Sequence, residues 1–233
     1  MVMALAAIKN GDSGSKIPHW HRSNRGEHRF PVVFVVLTVI SLQYVLPAEL
    51  ALSFQKIICY VEALMALLLL ALSPKRISNH HNPTRILSIL LTSLMTLSNT
   101  SSAFLLIAHL VSGHSNDPNK LLLSGGTIWL TNIIIFSLWF WDLDRGGPGA
   151  RAEAINQHPD FMFPQMGDPS FAPDHWHPNF FDYLYTSFTN ASAFSPTDVL
   201  PLTRWAKMLM LVQSFTSILT MGLIVARAVN ILK

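Results

Sequence analysis

Apolar residues in this chain come in long runs broken by short polar stretches, and they do not follow the spacing of a single helix face or strand alternation. The runs cover residues 30–46, 56–72, 86–111 and 121–141, and a last one follows Arg204 to about residue 232. Crossing a hydrocarbon core takes about 20 predominantly apolar residues in a helix, so each run predicts a membrane helix. The first two lie near the lower length limit, and the third is long enough to cross with tilt. Pro47-Ala48-Glu49, Ser73-Pro74-Lys75-Arg76, the polar stretch 112–120 and Asp142 to Gly149 separate the runs with turn formers and charges. Residues 180–189 behave differently. They predict a short aromatic amphipathic helix of about ten residues, roughly 15 Å, which is half the core. Such a helix can enter a membrane and turn back, but it cannot cross.

The fold class expected is therefore all-α: a polytopic membrane protein with about five transmembrane helices and a short re-entrant helix before the last. Four regions follow from this pattern. They are a basic flexible tail (1–29), a four-helix region (30–141), an irregular loop rich in Pro and acids (142–179), and the re-entrant helix, loop and final helix (180–233). Pro159, Pro164, Pro169, Pro173 and Pro178 exclude long helices from the third region.

Composition agrees with this reading. Half of the 233 residues are apolar and 12% are charged, against about 25% charged in soluble domains. The lone Cys59 excludes an intrachain disulfide. The net charge of +3 comes from residues flanking apolar runs, with no aromatic–basic surface pattern, so no nucleic-acid partner is expected. The lipid bilayer is the expected partner and the plasma (inner) membrane the expected location. No small-residue cleavage site closes the first run, so the basic tail reads as a headgroup-facing segment and not a signal peptide. Lys9, Lys16, Arg22, Arg25 and Arg29 share a face with Lys75, Arg76 and Arg85 if the helices alternate, which makes that face cytoplasmic.

Candidate chemistry is sparse. Glu62 lies inside the second run and Asn99 inside the third, and ionisable or amide groups at that depth serve either a site or helix packing. Asp174-His175-Trp176-His177 lacks a third ligand at helical spacing, so no metal is expected and the segment reads as interface structure. The pairs Gly125-Gly126 and Gly146-Gly147 lack phosphate-loop spacing and read as helix packing and a turn. No nucleophile–base pair stands out, so neither an enzyme nor a cofactor is expected. The sequons Asn99-Thr100-Ser101 and Asn190-Ala191-Ser192 both fall within predicted membrane segments and are discounted.

From Phe180 onward the order is aromatic short helix, hydroxyl-bearing bend, Asp198, Pro201, then Arg204-Trp205-Ala206-Lys207-Met208-Leu209. This resembles the pore loop and inner helix of potassium-channel-like proteins, over about fifty residues. That family's Thr-Val-Gly-Tyr-Gly-Asp filter corresponds here to Ala193-Phe194-Ser195-Pro196-Thr197-Asp198. Both filter glycines are absent, and with them the left-handed backbone that turns successive carbonyls inward, so potassium selectivity is not implied. The whole-chain plan also resembles an uncharacterised bacterial integral-membrane family. That likeness rests on Phe163-Pro164, Trp176, Phe181-Asp182-Tyr183-Leu184-Tyr185, Phe188-Thr189, Asp198-Val199 and Val229-Asn230, and it implies a fold without an activity.

Two functions follow as expectations. In a pore-loop cation channel, Thr189, Asn190, Ser192, Ser195 and Thr197 offer oxygens to a monovalent cation. Asp198 then concentrates cations at the mouth or pins the loop to Arg204 or Trp205. A homo-oligomer is implied, since one such loop cannot enclose a pore. In a transporter or scaffold, the loop only packs, and Asp198 caps the last helix. Cytoplasmic entry of the loop would also be opposite to that of potassium channels.

Overall fold

The computed structural model describes residues 19–72, 76–77, 82–112, 118–156, 158–171, 173, 175–192 and 198–231. Its long helices are α1 (Phe30–Val45), α2 (Gln55–Leu72), α3 (Asn82–Ser112) and α4 (Pro118–Leu143). Two short helices follow, α5 (Pro148–Ala152) and α6 (Pro164–Gly167), then α7 (Phe180–Ser192) and α8 (Arg204–Ile231). Helices α3 and α4 begin earlier than their apolar runs because Pro83 and Pro118 sit in first turns, where proline's missing N–H costs nothing.

Four segments are long and apolar enough to cross a membrane: Gln55–Leu72, Pro83–Ser112, Leu122–Gly146 and Arg204–Ala226; α1 is a shorter apolar helix. Phe34, Leu67, Leu97, Phe104, Phe215 and Ile218 stand exposed on the outside of the bundle. Bare apolar bands of this kind are a liability in water and are solvated in lipid.

The helices run up and down. Leu69 near the end of α2 meets Arg29 just before α1, and Ser88 near the start of α3 meets Asp142 at the end of α4. The opposite end of the bundle carries Glu49 and Lys120, paired at 3.1 Å. Two apolar clusters fill the interior. The larger, around Val39, Met95, Ile135, Phe140, Phe161 and Tyr183, lies toward the Arg29 end; the smaller, around Leu106, Ile128 and Ile224, lies toward the Glu49 end. A β-carbon at Gly125 would overlap Ile224 Cδ1, so that glycine is what lets α4 and α8 close upon each other.

Some expectations change. His19 to Arg29, placed in a flexible tail by the sequence, is ordered: Trp20 packs on the core, and β1 (Glu27–His28) pairs antiparallel with β2 (Arg76–Ile77). A second ladder joins β3 (Phe161–Met162) to β4 (Leu200–Pro201). Two-residue strands carry no alternation for a pattern to reveal. Trp141, at the end of the fourth apolar run, is buried, with its indole donating to Glu27 at 2.8 Å. The long loop contains only short helices, as its prolines require. Gly147 adopts φ +95, and a β-carbon there would come within 2.8 Å of the Asp142 carbonyl, so the turn at the end of α4 demands glycine.

Candidate functional site

The site is the unit α7–α8 and the polar base that holds it. Helix α7 has 13 residues, about 20 Å at 1.5 Å per residue. Its start is capped from two sides. Asn179 Oδ1 accepts the Phe181 N–H at 2.9 Å, and the Asn179 N–H donates to Asp182 Oδ2 at 2.7 Å, a reciprocal capping box. Glu27 Oε2 accepts the Phe180 N–H at 3.1 Å.

From there α7 runs between α4 and α8. Ser187 Oγ donates to the Ile133 carbonyl at 2.6 Å, and Phe188 meets Trp129 edge-on at 6.2 Å. Gln213 Nε2 donates to the Ser187 carbonyl at 2.9 Å, and Asn190 Nδ2 donates to Gln213 Oε1 at 2.8 Å and to the Met210 carbonyl at 2.9 Å. The last carbonyls of a helix lack intrahelical partners, and here α8 supplies them. Ser214 Oγ donates to the Asn190 carbonyl at 3.1 Å, and Ser217 Oγ to the Ala191 carbonyl at 2.6 Å. Ala191 therefore lies beside Ser217, whereas Leu202 returns to Asp160 beside Trp205, its N–H donating to the Asp160 carbonyl at 2.8 Å. Those two levels are separated by twelve residues of α8, about 18 Å along its axis.

The base is a buried ionic network. Arg151 donates to Glu27 Oε1 at 3.0 Å and to the carbonyls of Trp141 at 2.6 Å and Asp144 at 3.0 Å. Its guanidinium also lies 5.0 Å from the Tyr183 ring centre. Asp144 accepts the Tyr183 hydroxyl at 2.6 Å and the N–H groups of Asp160 and Phe161 at 2.9 and 3.2 Å. Asp160 accepts the Arg145 N–H at 2.8 Å and the Trp205 indole at 2.9 Å. Arg145, at φ +53, donates to the Asn156 and Trp20 carbonyls, both at 2.9 Å. Nearby, burial pulls the Arg29 guanidinium below the ordinary arginine range while the Asp142 carboxylate pushes it back. Every carboxylate of this network meets a donor, as buried charge requires.

The expected pore residues sort as follows. Thr189 Oγ1 bonds back to the Tyr185 carbonyl at 3.0 Å, Ser192 Oγ to the Thr189 carbonyl at 3.1 Å, and the Asn190 amide faces α8. Ser195 and Thr197 lie outside the described residues. Asp198 is exposed, and Trp205, one of its two expected partners, donates instead to Asp160. Asn99 is buried on α3.

Glu62 is fully buried between α1, α2 and α3, its carboxyl oxygens 3.2 and 3.3 Å from the Gln43 side-chain amide. Gln55 Nε2 donates to Ser98 Oγ at 2.6 Å beside them. Gln43 and Gln55 were missed in the sequence because each sits near a helix end, where polar residues are ordinary. A glutamine on each side of the same hairpin turn was the available signal.

His175 and His177 line a cavity of about 470 Å³ with Arg25, Arg145 and Arg151, and that many guanidinium groups work against a metal cation. Among the described residues no group of three metal-ligating side chains occurs. Comparison with protein-family models, curated proteins and solved structures finds no match for this chain.

Proposed function

We propose that the chain crosses the membrane five times, that α7 is a re-entrant helix, and that the α7–α8 unit is the pore-loop element of a cation-conducting homo-oligomer. One observation carries the reading. A helix of about 20 Å, short of the roughly 30 Å core, ends deep in the bundle, and the chain then comes back to the end from which it entered. A helix C-terminus carries about half a negative charge, and α7 directs it toward the bundle interior, where a cation is most in need of compensation. Thr189, Asn190 and Ser192 lend their side chains to packing, which leaves Ser195, Thr197 and Asp198 as the candidate ion ligands. The ionic base fits the need for a rigid mount, since a filter must hold its geometry against a passing ion.

Purified protein in liposomes, assayed for cation flux, tests this directly. Protein-dependent flux altered by Asp198→Asn and by Ser195→Ala is expected. Absence of flux under any gradient or voltage, in well-inserted oligomer, leaves α7 as packing and favours a scaffold.

A further inference from the structure

The polar cluster around Glu62 belongs to neither the α7–α8 unit nor its base. We propose that Glu62, set against Gln43 and its partners Gln55 and Ser98 between α1, α2 and α3, is an intramembrane proton-binding site.

Glu62 is a fully buried carboxyl, and the buried side chains that gather around it, Gln43, Gln55 and Ser98, are neutral. Gln43 Nε2 donates to the Met95 carbonyl at 3.3 Å. Its Oε1 accepts from Gln55 Nε2 at 3.3 Å and from Ser98 Oγ at 3.1 Å. Those three bonds aim the same Oε1 at Glu62, whose carboxyl oxygens lie 3.2 and 3.3 Å away. With the amide oxygen toward Glu62, a proton on the carboxyl makes the contact an O–H···O=C bond; with the amide turned, its nitrogen donates to the carboxyl oxygens instead.

Among the described residues no basic side chain is paired with Glu62. The titratable group facing Glu62 is the thiol of Cys59, one turn earlier on α2. Helices α1 and α3 bring the neutral Gln43 and Ser98. Lys56, six residues away and about 9 Å along the helix, lies over the Tyr44 ring.

Losing the proton demands a defined response. The carboxylate then needs a donor, and a half-turn of the Gln43 amide brings its nitrogen to Glu62, also within 3.1 Å of Ser98 Oγ, at the cost of the bonds to Met95 and from Gln55. Two hydrogen-bond patterns thus exist on one scaffold, one for each protonation state. Gln55 Oε1, buried without a partner, is a third acceptor within the same cluster.

Infrared difference spectroscopy of the full chain in liposomes, wild type minus Glu62→Gln, reads the protonation state. At pH 7 the variant is expected to lose a protonated-carboxyl carbonyl band that shifts in deuterated water and is the same in sodium and choline buffers. Gln43→Met is expected to move that band, because the hydroxyl loses its acceptor. If Glu62→Gln fails to fold, an unmoved band in Gln43→Met overturns the proposal. Carboxylate bands from Glu62 at pH 7 also overturn it. A carbonyl band that sodium abolishes and choline does not overturns the proton in favour of a metal cation.

Discussion

At the scale of single residues, the base of α7 rests on a few donors that nothing nearby can replace. Tyr183 is completely buried, and its hydroxyl holds one oxygen of Asp144 while backbone N–H groups hold the other. Tyr183→Phe removes that donor without changing shape, and a buried acceptor left short costs about 1–3 kcal/mol. Thermal unfolding in detergent should register the loss. Arg151→Ala is more severe, because Glu27 keeps its burial and loses its only cationic partner among the described residues. Breaking such a pair from one side costs about 3–5 kcal/mol. The expected outcome is loss of folded protein, and Arg151→Lys is expected to restore part of it by keeping charge without the fork geometry. None of these roles was legible in the sequence. Asp144, Arg145, Arg151 and Asp160 read there as loop charges, since contacts such as Glu27 to Arg151 join positions far apart in the chain and leave no local pattern.

At the scale of elements, the helices were legible and their company was not. Long apolar runs give α1, α2, α3, α4 and α8 to within a few residues, because hydrocarbon length is written directly into sequence length. The short helix α7 was legible too, from ten aromatic and hydroxyl-bearing residues followed by a bend. What periodicity could not supply is that Gln213, Ser214 and Ser217 of α8 hold α7 in place. Ser214→Ala with Ser217→Ala leaves two of the last carbonyls of α7 without their donors. Hydrogen bonds between membrane helices average about 0.6 kcal/mol, so a combined loss of about 1–2 kcal/mol is expected. A fall of several degrees in the unfolding midpoint measures it; no change would mean that water or lipid reaches those carbonyls. Helix packing gives a second test. Gly125→Val should separate α4 from α8 because the new side chain meets Ile224. Adding Ile224→Ala should recover much of the lost stability, and a double-mutant cycle measures the coupling.

At the scale of the whole molecule, charge and geometry agree on one face. The basic residues Arg22, Arg25, Arg29 and Arg85 gather at the end where α7 begins and β4 returns, while Glu49 and Lys120 mark the other. On the proposed topology, the positive-inside rule assigns the crowded face to the cytoplasm. The pore-loop reading and the Glu62 site both depend on this topology, since each places polar groups at a depth where water is absent. The measurement that tests it most directly is the accessibility of single cysteines to a membrane-impermeant maleimide, in a Cys59→Ala background. Phe171→Cys before α7 and Leu202→Cys after it are both exposed positions. A re-entrant α7 predicts that both label from the face opposite to Lys120→Cys. Labelling of the Phe171 and Leu202 positions from opposite faces would make α7 part of a crossing and would contradict the account.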